Sequence, residues 1–244
     1  MNLYGLIGFP LTHSFSKKYF TEKFQKENIA DSKYELFEIK DVSQILEVVK
    51  TNRDLKGLNV TIPHKENVIQ FLDEIDSAAK EIGAVNVIKI NTGKLKGYNS
   101  DYYGFRQSLI NFIGETKNIK ALILGTGGAA KAVKAALQDL NISYRFVSRK
   151  KEKNNLSYDE LNENILSEYK LIINTSPLGM YPNTDIFPDI PYQYLTSEHF
   201  LFDLVYNPEE TTFMEKGAEK GARTQNGLEM LHLQAEKAWE IWNS

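Results

Sequence analysis

The 244 residues include no cysteine, so neither a disulfide nor a thiolate metal site can contribute, and the absence fits a reducing cytoplasm. A basic excess is missing too. There are 29 Lys and Arg against 32 Asp and Glu, a formal net charge of −3, which leaves no cationic field to attract nucleic acid. No apolar run approaches the roughly 20 residues that a membrane helix needs. The opening MNLYGLIGFP has no basic n-region and too short an apolar stretch for a signal peptide, and reads as a first strand. Repeats, low-complexity tracts and long disordered linkers are also lacking. These absences lead to the expectation of a soluble, cytoplasmic protein that binds neither nucleic acid nor membrane.

What is present is ordinary for a globular chain, with 42% apolar and 25% charged residues. The length suffices for one large core or two modest ones. Short β-rich runs fall at Leu3–Ile7, Tyr34–Phe37, Leu58–Thr61, Ala84–Ile90, Ala121–Leu124, Tyr144–Val147, Lys170–Ile173 and Phe200–Leu204. Helical spacing separates many of them. Phe15, Tyr19, Phe20 and Phe24 share one face, as do Ile45, Leu46, Val48 and Val49. Such alternation predicts the α/β class, with mostly parallel sheets and crossover helices. Asn91-Thr92-Gly93 looks like a hairpin turn, so some antiparallel pairing is expected in the first half.

At Ile119–Ala136 a strand runs into a Gly-rich turn and an Ala/Lys-rich helix. That is how a dinucleotide-binding βαβ unit starts, yet it lies in mid-chain and leaves room for a domain before it. The expected division is a Rossmann-like domain at 102–226 and an α/β substrate domain at 1–101 plus 227–244. The final helix, Gly227–Trp242, is expected to pack back on the first domain, with Trp239 and Trp242 as packing residues.

Gly125-Thr126-Gly127-Gly128-Ala129-Ala130 satisfies G-x-G-x-x-G/A directly after an apolar strand. Gly125 permits the tight turn and Gly127 lets the backbone approach a pyrophosphate. Ala130 is small enough for close helix–strand packing, and the free N–H groups at the helix start attract the anion. A plain tight βα turn is the competing explanation. The following strand ends in Ser148-Arg149-Lys150-Lys151, with no acid before Glu152 to take a ribose 2′-hydroxyl. Arg149 there suits a 2′-phosphate, hence NADP rather than NAD, although a solvated charge run would look the same.

Four polar patches end apolar strands, where ligands of α/β folds bind: 8–16 (GFPLTHSFS), 59–65 (NVTIPHK), 83–86 (GAVN) and 97–101 (GYNSD). With GTGGAAKA, INTSPLGM, DLVYNP and GLEMLHLQA they form an ordered series that resembles the shikimate dehydrogenases from Gly5 to about Ala235. The resemblance implies reversible, NADPH-dependent reduction of 3-dehydroshikimate to shikimate. It makes Lys65 the catalytic lysine and Asp101 its partner. Ser14, Ser16, Asn59, Thr61, Asn86 and Gln234 match residues that hold the substrate's carboxylate and hydroxyls, and Tyr206 matches a tyrosine near the substrate. Gly125, Gly127, Gly128 and Ala129 match the cofactor loop, Ser148 and Arg149 the 2′-phosphate clamp, and Asn174, Thr175 and Gly227 the nicotinamide side.

The chemistry agrees with these residue types. Ketone reduction needs a hydride at carbon and a proton at the developing alkoxide. A lysine ammonium can stabilise that oxyanion and protonate it, with an aspartate to orient it. No metal is required. Taken alone, Lys65 would be read as a solvated cation, Asp101 as a first-turn helix charge and Ser14 as an N-cap. His13 and His64 read as structural neighbours of the site rather than ligands.

The series departs from the usual pattern in a few places. Lys17 stands where a proline usually follows HSFS, Ser100 stands in the middle of the usual Asn-Thr-Asp, Asn226 precedes Gly227, and Ser148 and Lys150 flank Arg149 where Asn and Thr are usual. Two other functions stay open from the residues: a quinate/shikimate dehydrogenase that uses NAD or NADP, and a shikimate-sensing relative without turnover. Either a monomer or a homodimer is compatible with the sequence.

Overall fold

Residues 1–11, 14–149 and 155–244 are described by the computed structural model. They divide into two units, Met1–Ser100 with Gln234–Ser244, and Asp101–Leu233.

The first unit comprises β1 (Asn2–Gly8), α1 (Phe15–Lys26), β2 (Ser32–Glu38), α2 (Ile45–Thr51), β3 (Leu55–Val60), β4 (Glu74–Ile75), α3 (Ser77–Ile82), β5 (Val87–Asn91) and β6 (Lys94–Tyr98). Its sheet has the order β2-β1-β3-β5-β6-β4. Strand β1 runs parallel to β2 and β3, while β5 runs antiparallel to β3 and β6. The expected hairpin joins β5 to β6. Thr92 and Gly93, at φ 49° and 82°, adopt the two positive-φ positions that match a turn to the twist of its strands.

Side chains alternate along β1 and so feed two cores. Leu3 and Ile7 join Ile45 of α2 and Ala79 of α3. Tyr4 and Leu6 join Phe20 and Phe24 of α1 and, from the end of the chain, Ala235, Ala238, Ile241 and Trp242. On α1 the expected face is present, with Phe20 and Phe24 buried and Phe15 and Tyr19 half-buried. On α2 one expectation fails: Leu46 is 53% exposed. Ile45 faces the core with Val48 and Val49 beside it, and a residue one step, about 100°, further round points to solvent.

The second unit comprises most of α4 (Ser100–Ile113), then β7 (Ala121–Leu124), α5 (Gly128–Asp139), β8 (Tyr144–Ser148), β9 (Asn155–Ser157), α6 (Glu163–Glu168), β10 (Leu171–Asn174), β11 (Phe200–Asp203), α7 (Thr212–Ala218), β12 (Arg223–Gln225) and the start of α8 (Leu228–Asn243). Its sheet is parallel throughout, in the order β12-β11-β10-β7-β8-β9. That is the doubly wound dinucleotide-binding order. A parallel sheet with helices on both faces needs strands that are apolar throughout. Ala121, Ile123, Leu171, Ile173, Phe200 and Phe202 pack one way, with Phe105 and Leu109 of α4 and Val133 of α5. Leu122, Leu124, Ile172 and Leu201 pack the other way, with Leu166 of α6 and Phe213 of α7.

Helix α8 straddles the division, and from Gln234 onward it belongs to the first unit. There Ala235, Ala238, Ile241 and Trp242 join the core of Tyr4 and Phe20. The indole of Trp242 donates to the Ile88 carbonyl at 3.1 Å, and Tyr4 stacks on it at 5.0 Å. Trp239 packs edge-on against Tyr4. Lys23 of α1, only 8% exposed, reaches Glu27 at 2.7 Å and Glu236 of α8 at 2.8 Å.

Strands β4, β9 and β12 went unread in the sequence. Each has two or three residues and no apolar run, and each pairs at the edge of its sheet. Among the described residues, no helix is long and apolar enough to cross a membrane.

Candidate active site

In the first unit the expected substrate residues lie at the start of α1 (Ser14, Ser16), at the end of β3 (Asn59, Thr61), just before β5 (Asn86) and on α8 (Gln234). Asn59, near the end of β3, is 6% exposed. Its Oδ1 accepts from the Tyr34 hydroxyl at 2.7 Å, and its Nδ2 donates to the Asn86 carbonyl at 3.4 Å. The Ser16 side chain lies near the Tyr34 hydroxyl. Burial drives the Tyr34 phenol far up, so it stays a donor to Asn59. Asn86, 3% exposed, accepts the Ser100 N–H at 2.7 Å and donates to the Ser100 hydroxyl at 3.0 Å and to Gln234 at 3.3 Å. Asn59, Asn86 and Gln234 therefore belong to one hydrogen-bonded series, which Tyr34 and Ser100 extend.

Two members of that series, Tyr34 and Ser100, were not expected from the sequence. Tyr34 looks like a core aromatic in a strand, and only the pairing of β2 beside β1 puts its hydroxyl within reach of Ser16 and Asn59. Ser100 was visible only as a departure from the usual threonine.

Ser14 caps α1 by accepting from the Lys17 N–H at 3.2 Å, the structural role that competed for it. Thr61 follows β3. Its methyl group would collide with any Cβ at Gly8, which fixes glycine there. Its carbonyl accepts from His64 N at 3.0 Å. The His64 ring is buried and hydrogen-bonds the Ile39 carbonyl at 2.8 Å, a structural tether as expected. Next in sequence, Lys65 is half-buried and its carbonyl accepts from Val85 N at 2.7 Å. His64 and Val85 thus hold the Lys65 backbone from both sides. Asp101 stands in the first turn of α4, directly after Ser100, and is half-buried.

In the second unit, β7 runs into Gly125 at φ 113°, a conformation that favours glycine. A Cβ there would also lie 2.8 Å from the Thr175 hydroxyl. Gly127 begins α5 without a side-chain cap, and among the described residues no atom lies within 4 Å of where its Cβ would stand. Gly128 and Ala129 are exposed in the first turn, while Ala130 is 1% exposed in the core. Open space over uncapped first-turn N–H groups, at the point where β7 lies between β8 and β10, fits the pyrophosphate of a dinucleotide.

Ser148 ends β8 half-buried and Arg149 is exposed. Lys150, Lys151 and Glu152 of the adjoining charge run, and His13 in the first unit, lie outside the described residues. On the other side of β7, Thr175 donates to the Leu124 carbonyl at 2.8 Å and Asn174 is fully buried. Asn174 Nδ2 donates to Asp203 at 2.9 Å, and its Oδ1 accepts from the Ser176 hydroxyl at 2.6 Å. Gly227 is pressed against the Leu204 carbonyl, where any Cβ would overlap, and its N–H donates to Val205 at 3.1 Å. Tyr206, in the same segment after β11, is 39% exposed. Burial raises its phenol.

Residues 6–88 match the family described as shikimate dehydrogenase substrate binding domain. The chain is 42% identical to the shikimate dehydrogenase (NADP(+)) of Clostridium beijerinckii, over 99% of this chain and 92% of that protein. With the enzyme of the same name from Methanococcus aeolicus it shares 39% identity, over 98% and 91%. The crystal structure of shikimate 5-dehydrogenase from Thermus thermophilus in complex with NADP(H) and shikimate is 27% identical. It superposes with a TM-score of 0.86 over 99% of this chain and 93% of that one.

Proposed function

Because the chain belongs to the shikimate dehydrogenase family, we propose that it reduces 3-dehydroshikimate to shikimate with NADPH and catalyses the reverse oxidation with NADP. The observation that carries this reading is the presence in one chain of the Tyr34–Asn59–Asn86–Gln234 series and of the Gly125–Ala130 cradle.

In this reading Ser14, Ser16, Asn59, Thr61, Asn86 and Gln234 hold the carboxylate and hydroxyls of the substrate, with Tyr206 beside it. A polar series that is already hydrogen-bonded needs little reordering when a polyhydroxylated ring replaces some of its internal bonds. Gly125, Gly127, Gly128 and Ala129 cradle the pyrophosphate, Ser148 and Arg149 hold the 2′-phosphate, and Asn174, Thr175 and Gly227 border the nicotinamide. Bound NADPH supplies the hydride. The Lys65 ammonium stabilises the negative charge that develops on the ketone oxygen and delivers the proton that makes it a hydroxyl. Asp101 orients Lys65 and accepts a substrate hydroxyl. In the oxidative direction Lys65 takes that proton back. The cysteine-free composition supports work in the cytoplasm.

The test is to follow nicotinamide absorbance with purified protein and shikimate, NADP against NAD, and wild type against Lys65→Ala. The expected result is NADP-dependent turnover that falls by about 10²–10⁴ in the variant, while equilibrium binding of shikimate persists. Equal turnover of quinate with NAD would favour the broader dehydrogenase. Shikimate binding without turnover would mark a sensor, and turnover that survives Lys65→Ala would remove the mechanism.

A further inference from the structure

Asp203, the last residue of β11, has no place in the series of expected site residues, yet it is fully buried at the carboxyl end of the second sheet. Its two oxygens collect three donors. Oδ1 accepts from Asn174 Nδ2 at 2.9 Å and from Val205 N at 3.0 Å, and Oδ2 accepts from the Thr211 hydroxyl at 2.7 Å. The donors come from two pieces of backbone, the end of β10 and the segment between β11 and α7. Asn174 ends β10 and, through its own Oδ1, holds the N–H and hydroxyl of Ser176 in the segment that follows. Val205 begins the segment after β11, and its carbonyl receives the N–H of Gly227. Thr211 closes that segment and caps α7. One carboxylate thus ties together the segments at 175–180, 204–211 and 226–227.

These segments carry Thr175, Tyr206 and Gly227, beside the point where β10 neighbours β7 and Gly125 approaches Thr175. We infer that Asp203 is a positioning residue for the nicotinamide half of the cofactor, setting the three segments that border it without touching it. The inference rests on the NADP reading above. A core carboxylate could simply stabilise the sheet. However, a buried charge is costly in an apolar interior unless it is fully hydrogen-bonded, and all three of these donors come from site-bordering backbone or its anchors. An apolar residue would close the same space without organising any of them.

The experiment measures dissociation constants for NADPH and for shikimate by calorimetric titration, well below the melting temperature of each variant. Asp203→Ala should weaken NADPH at least ten-fold and shikimate less than three-fold, because most shikimate contacts are assigned to the first unit. Asp203→Asn keeps an oxygen for Asn174 and Val205, and the Thr211 hydroxyl can turn to accept from the new amide. It should stay within about three-fold of wild type for NADPH. If Asp203→Ala proves unfolded in its melting curve, Thr211→Val takes its place and should weaken NADPH at least three-fold.

NADPH affinity within two-fold of wild type in Asp203→Ala, or in Thr211→Val when that variant decides, would overturn the inference. So would equal weakening of both ligands, or an Asp203→Asn variant as weak as Asp203→Ala. Wild type that binds no NADPH would instead refute the functional reading, whatever the variants do.

Discussion

Gly57 of β3 lies so close under the indole of Trp242 that a Cβ on it would overlap the ring. The glycine is therefore the seat of the last helix, which the indole N–H secures to the Ile88 carbonyl one strand away. Gly57→Ala should cost about 1–3 kcal/mol through overpacking, read as a lower denaturation midpoint. Helix α8 also presents Gln234 to Asn86, so the same variant should bind shikimate more weakly. An unchanged midpoint would mean that Trp242 can move aside freely.

Tyr34 offers a sharper test of the first unit. Tyr34→Phe leaves the ring in place and deprives the buried Asn59 Oδ1 of its donor. An unsatisfied buried polar group costs about 1–3 kcal/mol, and the loss should appear both in stability and as a higher KM for shikimate. The KM for NADP should hold steady. If both KM values rise together, the effect is general loosening rather than loss of this series.

These two positions show what could be read from the chain and what could not. The strands of the second sheet were legible because burial on both faces demands unbroken apolar runs such as Ala121–Leu124 and Phe200–Leu204. The Gly125 turn was legible because a positive-φ glycine between a strand and a helix has few other uses. Tyr34, Ser100 and Asp203 were not. Most of the partners on which their roles depend are 8 to 134 residues away, brought together by sheet register and helix packing. An aromatic in a strand or an aspartate at a strand end has no local signature of that. Leu46 failed for the opposite reason, since four apolar residues in five cannot all face one side of a short helix.

Asp203 also makes a pH prediction. Burial pushes its carboxyl up from 3.8 to about 6, against the pull of its three hydrogen-bond donors. The folded state therefore holds this proton more tightly than the unfolded chain. The contribution to stability is fully present below pH 3.8 and is lost as the pH rises through about 6, on the order of 2–3 kcal/mol in all. Asp203→Asn cannot titrate. Its stability minus that of wild type should grow between pH 4 and pH 7 and then level off, as measured by urea unfolding across that range. A flat difference would place the wild-type carboxyl in its ordinary range.

Arg149 offers a test of the cofactor preference. It is exposed at the end of β8, with Ser148 before it paired to Ser157 of β9. If its guanidinium holds the 2′-phosphate, the charge-assisted contact contributes about 1.5–3 kcal/mol. Arg149→Ala should then weaken NADPH about 10- to 100-fold. NADH carries a hydroxyl at that position and gives the fork nothing to neutralise, so its affinity should barely change. A solvated charge run would behave differently, with both cofactors unaffected or with a small, equal loss that disappears in high salt. Titrating both reduced cofactors into wild type and variant at two ionic strengths separates the cases. Equal affinities of wild type for NADPH and NADH would leave Arg149 no part in the choice.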